Sequence, residues 1–110
     1  MQVTRLDDTA PYDAPKHFGM RGYKVQGGDV SPFLVQVGVS IFEPTGGAEM
    51  SASKADRVYV VASGHIIVAT TNGEHRLAAG DSCFIPAGEA RAIRNDGVLP
   101  TTVITAIATA

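Results

Sequence analysis

Two arginines and a tyrosine are the residues of this sequence best suited to binding chemistry. Arg57 and Tyr59 lie two positions apart in one apolar run, and Arg91 opens a later one. A guanidinium group stays protonated at any ordinary pH, and its planar fork of N–H donors fits a carboxylate or a phosphate. We therefore interpret Arg57 and Arg91 as candidate anion-binding groups. Tyr59 lies on the same face of its strand-like run as Arg57.

Other residue types offer weaker candidates for chemistry. Glu49 is the best candidate for a general acid or base, should the protein be an enzyme. The three histidines, His17, His65 and His75, are expected at the surface or at an interface. Cys83 alternates with Phe84 and is expected on the opposite side, in the core. No base is spaced to activate its thiol as a nucleophile.

Composition limits the classes of protein to consider. The chain has 110 residues, of which 45% are hydrophobic and 18% charged, and this indicates one folded domain. A net charge of −2 gives no basic surface for nucleic acid. The first residues lack the apolar stretch of a signal peptide, and no apolar run is long enough to span a bilayer. With Cys83 as the single cysteine, we expect a reduced, cytoplasmic setting and no membrane partner.

Short strands separated by turns account for most of the chain. Residues 33–42 alternate with period two, which is typical of a strand and predicts a turn at 43–47. The Asn72-Gly73 dipeptide predicts a hairpin. No segment has a helical period, so about eight strands predict an all-β sandwich or barrel. The strands are expected at 20–25, 33–42, 57–63, 65–70, 75–77, 82–85, 90–94 and 101–107.

Two stretches carry a resemblance to a known family. Residues 80–95 have the glycine, Pro-x-Gly and asparagine spacing of the second cupin motif, with Arg91 where that motif has histidine. The first motif ends in glutamate, six residues and glycine; counting back from Gly64 puts Arg57 at the glutamate. Its two histidines belong among residues 50–53, which read Met-Ser-Ala-Ser. Over roughly residues 33–107 the chain thus resembles the cupin superfamily.

The resemblance implies a fold and an assembly. It implies a jelly-roll barrel of double-stranded β-helix type, RmlC-like, formed by residues 32–110, with a pocket between two sheets. Residues 1–31 are expected to form an extended arm that packs on the barrel or on a partner. Small cupins are commonly homodimers, so a homodimer is expected. The family's inward positions place Arg57, Tyr59 and Arg91 in one pocket.

The departures from the motifs bear on metal binding. The usual cupin site holds a metal with three histidines and a glutamate, and none of the four matching positions carries such a ligand here. Two of them hold guanidinium groups, which have no lone pair to donate and repel a cation. We therefore expect no metal cofactor at the usual place.

The main functional hypothesis is a pocket that binds a small anionic, carboxylate-type molecule without a metal. Two different roles compete with it: a metal-independent isomerase or lyase, and a metal-dependent cupin enzyme with ligands relocated to His17, His65, His75 or Glu49. A structural alternative has the arginines pair with acids such as Glu49, Asp56 or Glu89 and merely fill space. The residues expected at the binding site are Arg57, Arg91, Tyr59, Phe84, Gln36, Ser40, Glu49 and Met50.

Overall fold

The computed structural model describes residues 1–109, which form eight strands and one short 3-10 turn, Leu6–Asp8. Within this part of the chain, no helix is long and apolar enough to cross a membrane. The strands are β1 (His17–Gln26), β2 (Val35–Ser51), β3 (Arg57–Ser63), β4 (His65–Thr70), β5 (Gly73–Ala78), β6 (Ser82–Ile85), β7 (Arg91–Arg94) and β8 (Thr101–Ala108).

The predicted all-β architecture is confirmed. Strands β3, β4 and β6 have the bounds that alternation and turn residues predicted, and β4 pairs with β5 across the expected Asn72-Gly73 hairpin. The sheet order is β5-β4-β7-β2-β8-β3-β6, with β1 added along β2. One layer therefore contains β6, β3, β8 and the first half of β2, and the other contains β5, β4, β7 and the second half. This arrangement is a jelly-roll barrel.

The turn predicted at residues 43–47 is wrong, because β2 continues through it. Residues 35–42 of β2 pair with β8, whereas Gly47, Ala48 and Ser51 pair with β7. Between them Thr45 has a φ of 69°, a left-handed conformation that bends the strand. The turn-forming residues of this segment thus make a corner, at which a single strand passes from one layer to the other.

The N-terminal arm packs on its own barrel. Its strand is longer than the predicted 20–25, since β1 spans His17–Gln26 and pairs along β2 from Ala48 to Val37. Ahead of β1, Tyr12 forms a bridge to Gly22. Strand β1 therefore runs along β2 on both sides of the residue at which β2 changes layer.

The hydrophobic core lies between the two layers. Its largest fully buried side chains come from both of them and include Phe42, Val61 and Ile66. Val61 and Val103 are opposite each other on β3 and β8, and Val68 and Ile93 are opposite each other on β4 and β7. Burial of these aliphatic pairs stabilises the closed barrel.

Asn95, the last residue of the cupin-like motif, ties the barrel end together. Its side chain is 1% exposed. The amide Nδ2 donates hydrogen bonds to the carbonyls of Phe42 and Leu99 at 3.0 and 2.9 Å, and Oδ1 accepts one from the N–H of Gly97 at 3.0 Å. One side chain thus joins β2, the end of β7 and the loop that leads to β8.

Replacing Asn95 with alanine is expected to lower the free energy of unfolding by about 3 kcal/mol, because three backbone groups lose their partners. Urea unfolding followed by circular dichroism measures this loss. Asn72→Ala, in the exposed β4–β5 turn, serves as the control and is expected to change stability by less than about 0.5 kcal/mol. A loss below about 1 kcal/mol for Asn95→Ala would contradict the role assigned to this side chain.

Candidate functional site

A cavity of about 300 Å³ lies between the layers. One part of its wall is apolar and includes Met20, Phe42, Ile66 and Val68. The polar part of the wall carries two arginines, two tyrosines, one histidine and several hydroxyl groups, contributed by Arg57, Arg91, Tyr12, Tyr59, His17, Ser40, Ser51, Ser53 and Thr105. No aspartate or glutamate belongs to the lining among residues 1–109.

Arg91 is buried in this wall, with 4% of its surface exposed. It opens β7 and lies opposite Ser51 of β2. Its Nε donates a hydrogen bond to the Tyr59 hydroxyl at 2.8 Å, and Nη1 donates to the Ser51 carbonyl and hydroxyl at 3.0 and 2.9 Å. These partners are neutral, so the positive charge of Arg91 stays uncompensated by any of them.

Arg57 brings a second positive charge to the same cavity. It opens β3 two positions before Tyr59, so both side chains point to the inner face. Among residues 1–109, no carboxylate forms an ion pair with Arg57 or Arg91, and Arg57 makes no side-chain hydrogen bond. Its guanidinium N–H donors are therefore available to a ligand.

Acidic side chains do not pair with these arginines in residues 1–109. Asp56 instead accepts a hydrogen bond from the N–H of Ala87 at 2.8 Å, and Glu49 is exposed. Glu89 is half-buried and lies against a different surface depression. The structural alternative of internal ion pairing thus has no pair to support it in residues 1–109.

Of the two neutral groups predicted from β2, one reaches the cavity. Ser40 is buried and part of the lining. Gln36 lies on the same face of β2, opposite Ile107, but it is outside the lining. The reason is position along the strand, since Gln36 stands near the start of β2 and lies beside Gly28 of the preceding loop.

Phe84 does not form a wall of the cavity, contrary to expectation. It lies opposite Val58 of β3, while its neighbour Cys83 lies opposite Tyr59. Opposed residues of an antiparallel pair share a face, so Cys83 faces inward with Tyr59 and Phe84 faces outward. Phe84 is 61% exposed. Cys83 packs against the core, as predicted, and burial raises the pKa of its thiol.

Glu49 and Met50 are also outside the cavity, for two different reasons. Glu49 follows the buried Ala48, so strand alternation alone turns it outward, whereas Met50 is turned outward by an irregularity of β2. Ala48 is opposite Ile93, but Ser51 rather than Met50 is opposite Arg91. One extra residue on β2 therefore reverses the faces of the sheet on which Met50 and Ser51 lie. Ser51 consequently enters the cavity, and Glu49 and Met50 are exposed. The role of general acid or base considered for Glu49 has no support in this position.

Two polar groups from the arm were missed by sequence reasoning. His17, expected at the surface, forms part of the cavity wall together with Tyr12. The His17 Nδ1 lies 2.7 Å from the carbonyl oxygen of Pro15. Nothing in the local pattern of residues 12–17 marks an inward face; only the pairing of β1 with a distant part of β2 puts these rings in the wall.

The cavity changes the ionisation of both of these arm residues. Burial lowers the pKa of His17, and the nearby charges of Arg91 and Arg57 lower it further, against the opposing effect of the Pro15 carbonyl. Burial raises the pKa of the Tyr12 phenol, which the charge of Arg57 partly offsets. At neutral pH the His17 imidazole and the Tyr12 phenol are therefore both uncharged, and the arginines supply the only charges of the described wall.

The chain belongs to the cupin family. The family model described as a cupin domain matches residues 38–107. This range contains every barrel residue of the cavity wall, and the eight-stranded jelly roll is the fold that the motif spacing implied.

Proteins that resemble this chain in sequence or in structure carry different names. A protein of Mycobacterium tuberculosis named beta-D-galactosidase Rv1717 is 34% identical over 98 residues, which cover 86% of this chain and 83% of the relative. The polyketide cyclase RemF of Streptomyces resistomycificus has a similar structure, with a TM-score of 0.87, 12% identity, and coverage of 100% of this chain and 80% of that one. An RmlC-like cupin of Shewanella frigidimarina has a TM-score of 0.82, 16% identity, and coverage of 100% and 92%.

The residues at the usual cupin metal position do not fit a metal ion. Arg57 and Arg91, which the motif spacing aligns with two ligand positions of the family, line the cavity, and the neighbouring part of β2 contributes Ser51, Ala52 and Ser53 to the lining. Hydroxyl and guanidinium groups cannot replace imidazole and carboxylate as ligands of a transition metal. Elsewhere in residues 1–109, no three His, Cys, Asp or Glu side chains are grouped to hold an ion, so relocated ligands find no support.

Proposed function

We propose that this cupin binds a small carboxylate in the cavity through Arg57 and Arg91, without a metal. The observation that carries the proposal is the composition of the cavity wall: among residues 1–109, two guanidinium groups line the cavity and no acidic side chain does. A buried charge without a partner is costly, and an anionic ligand is the partner that would remove this cost. Arg57 offers its fork of donors, and Arg91 adds charge from behind the Tyr59 hydroxyl.

The rest of the cavity wall limits the size and polarity of the group attached to the carboxylate. The side chains away from the arginines are apolar, with Phe42, Ile66 and Val68 among them. The volume of about 300 Å³ is at the small end for ligand cavities. These properties favour a compact molecule with one anionic end and a hydrocarbon or aromatic body.

Phenylacetate and phenylacetamide form a matched pair of probes for this proposal. They have nearly the same shape, but only the first is charged. Titration calorimetry is expected to detect binding of phenylacetate, with phenylacetamide at least about tenfold weaker because it lacks the charge. Equal affinity for the two compounds, or no binding of either, would refute the proposed carboxylate site.

A sugar substrate is the second candidate, favoured by the 34% identity to the relative named as a galactosidase. Glycosidases commonly use two carboxylates that flank the scissile bond. The described cavity wall offers neither, so a hydrolase of that type has no acid–base pair here. Release of nitrophenol from 4-nitrophenyl β-D-galactoside, lost in an Arg57→Met variant, would establish the sugar candidate instead of the carboxylate.

We further propose that a second copy of the chain covers the outer face of the β6-β3-β8-β2 layer. Register places apolar side chains side by side across this face: Phe84, Val58, Val60, Ala106, Ile104, Val37 and Val39. Phe84 and Val60 are 61% and 38% exposed. Four strands at about 4.8 Å spacing make this a continuous surface roughly 15–20 Å wide, and such uncharged sheet faces are self-complementary about a twofold axis.

Sedimentation velocity tests the dimer. The wild-type chain is expected to sediment as a dimer, and Phe84→Lys as a monomer, because the new charge would be buried at the interface. Leu99→Lys alters another exposed apolar residue, in the loop before β8, and is expected to leave the dimer intact. A monomeric wild type, or a Phe84→Lys dimer of unchanged stability, would contradict pairing through this face.

A further inference from the structure

The position of His17 gives the cavity a group that the binding of a carboxylate does not use. His17 is the first residue of β1, and its ring is part of the same wall as Arg57 and Arg91. The Pro15 carbonyl oxygen, 2.7 Å from Nδ1, accepts hydrogen bonds and cannot donate them. In the neutral ring, Nδ1 therefore carries the proton and Nε2 carries the lone pair.

Every charged group of the described wall favours the neutral ring. Arg57 on β3 and Arg91 on β7 repel the imidazolium, and burial raises the pKa of the Tyr12 phenol from the arm, which keeps it uncharged. Tyr59 from β3 adds a hydroxyl group to the same wall. Phe42, with its ring centre 6.4 Å away, adds an apolar neighbour. No carboxylate in the described lining stabilises a protonated ring. His17 is thus present as a base at neutral pH.

We propose that His17 is the proton acceptor of the cavity and acts on the carbon next to the carbonyl group of a 2-oxo acid whose carboxylate binds Arg57. This inference rests on the proposed carboxylate site and extends it to a substrate class. The protein would then be a metal-independent tautomerase, in which the two arginines supply the positive field.

Tyr59 supplies the polar contact that distinguishes a 2-oxo acid from a plain carboxylate. Its hydroxyl oxygen already accepts a hydrogen bond from Arg91 Nε at 2.8 Å, so its own proton is free to be donated into the cavity. The Arg91 hydrogen bond also strengthens this donor, because it stabilises charge on the phenol oxygen. A carbonyl oxygen beside the carboxylate would accept from Tyr59, and the apolar wall would hold the remainder of the molecule.

The reaction conserves atoms and electrons without a cofactor. The C–H bond breaks, its proton moves to His17 Nε2, and its electron pair forms the carbon–carbon double bond. The carbonyl π pair moves onto oxygen and gives an enolate, which the Tyr59 O–H and the arginine charges stabilise. Return of the proton from Nε2 to the oxygen gives the enol, and return of a proton to the carbon regenerates the keto acid.

Deuterium exchange into phenylpyruvate tests the inference. The methylene signal of this 2-oxo acid is followed by proton NMR in D₂O with wild-type protein and with His17→Asn. Asparagine Nδ2 can still donate to the Pro15 carbonyl but offers no base. We expect the protein-dependent exchange rate to fall about 100-fold or more in His17→Asn. His75→Gln, an exposed histidine outside the cavity, is the control and should retain the wild-type rate.

The pH profile adds a readout that a structural role would not change. The wild-type rate should rise with pH through the pKa of His17, which lies below the usual value near 6.5, and then become independent of pH. Imidazole NMR signals of the wild-type protein give that pKa directly, whether or not the variant folds. A His17 that is still protonated at pH 7 would overturn the inference.

Binding and exchange separate the two proposals. Calorimetry that detects phenylpyruvate binding to wild-type protein, together with exchange no faster than in His17→Asn, overturns the role of His17 and leaves the carboxylate site standing. Absence of phenylpyruvate and phenylacetate binding overturns the carboxylate site itself. Both measurements use the full chain.

Discussion

Replacing Arg57 with methionine is expected to weaken phenylacetate binding about 100-fold, which corresponds to about 3 kcal/mol. Arg57 is the cavity arginine whose donors are free among residues 1–109, so it is the group that would contact the carboxylate directly. Methionine keeps most of the side-chain volume and lacks the charge. The free energy of unfolding should change by less than about 1 kcal/mol, since Arg57 makes no described hydrogen bond or ion pair that the variant would lose.

Arg94→Met is the matched control for charge. Arg94 lies on β7 three residues after Arg91, but it is exposed and paired with Glu74 at 2.7 Å. Its loss removes the same charge from the protein without touching the cavity, so phenylacetate affinity should stay within about twofold. If both variants bind phenylacetate as tightly as the wild type, Arg57 is not a ligand-binding residue.

Replacing Arg91 with methionine is expected to weaken phenylacetate binding about tenfold and to raise the free energy of unfolding of the ligand-free protein by about 1–3 kcal/mol. Arg91 is 4% exposed, has neutral hydrogen-bond partners and has Arg57 in the same wall. Desolvation of this charge opposes folding, and three hydrogen bonds offset it only partly. A side chain kept at such a cost to stability is typical of a binding site.

Urea unfolding with and without phenylacetate measures this trade-off. The wild-type protein should gain more stability than Arg91→Met at the same phenylacetate concentration, because the stabilisation by a ligand depends on its affinity for the folded state. A loss of several kcal/mol in Arg91→Met would mean that this arginine mainly holds Tyr59 and Ser51 in place. Arg94→Met, which removes an exposed ion pair that water and salt screen, again serves as the control.

The sequence predicted the strands better than it predicted the side chains around the cavity. Alternation in β3 and the glycine and proline spacing around β6 and β7 depend on local chemistry, and both were read correctly. Arg57, Arg91 and Tyr59 reached the cavity because period-two alternation and the motif register agree on these strands. Phe84 was misplaced because a four-residue strand has too little alternation to fix which face is inward.

The remaining errors come from long-range pairing. A one-residue irregularity of β2 against β7 turned Met50 outward and Ser51 inward, and no local pattern in residues 48–51 announces it. The segment around Thr45 has turn-forming residues, yet it remains part of one strand because β2 pairs with β8 before it and with β7 after it. His17 reached the cavity only because β1 pairs with a segment about 30 residues away.

The wall formed by the arm has a kinetic consequence. Tyr12, Ala14 and Pro15 line the cavity but precede β1, and the bridge from Tyr12 to Gly22 is their link to the sheet. A ligand in the cavity would therefore contact a wall segment that lies outside the strands. If this segment separated from the barrel, access to the cavity would change, so substitutions that never touch the ligand would alter its residence time.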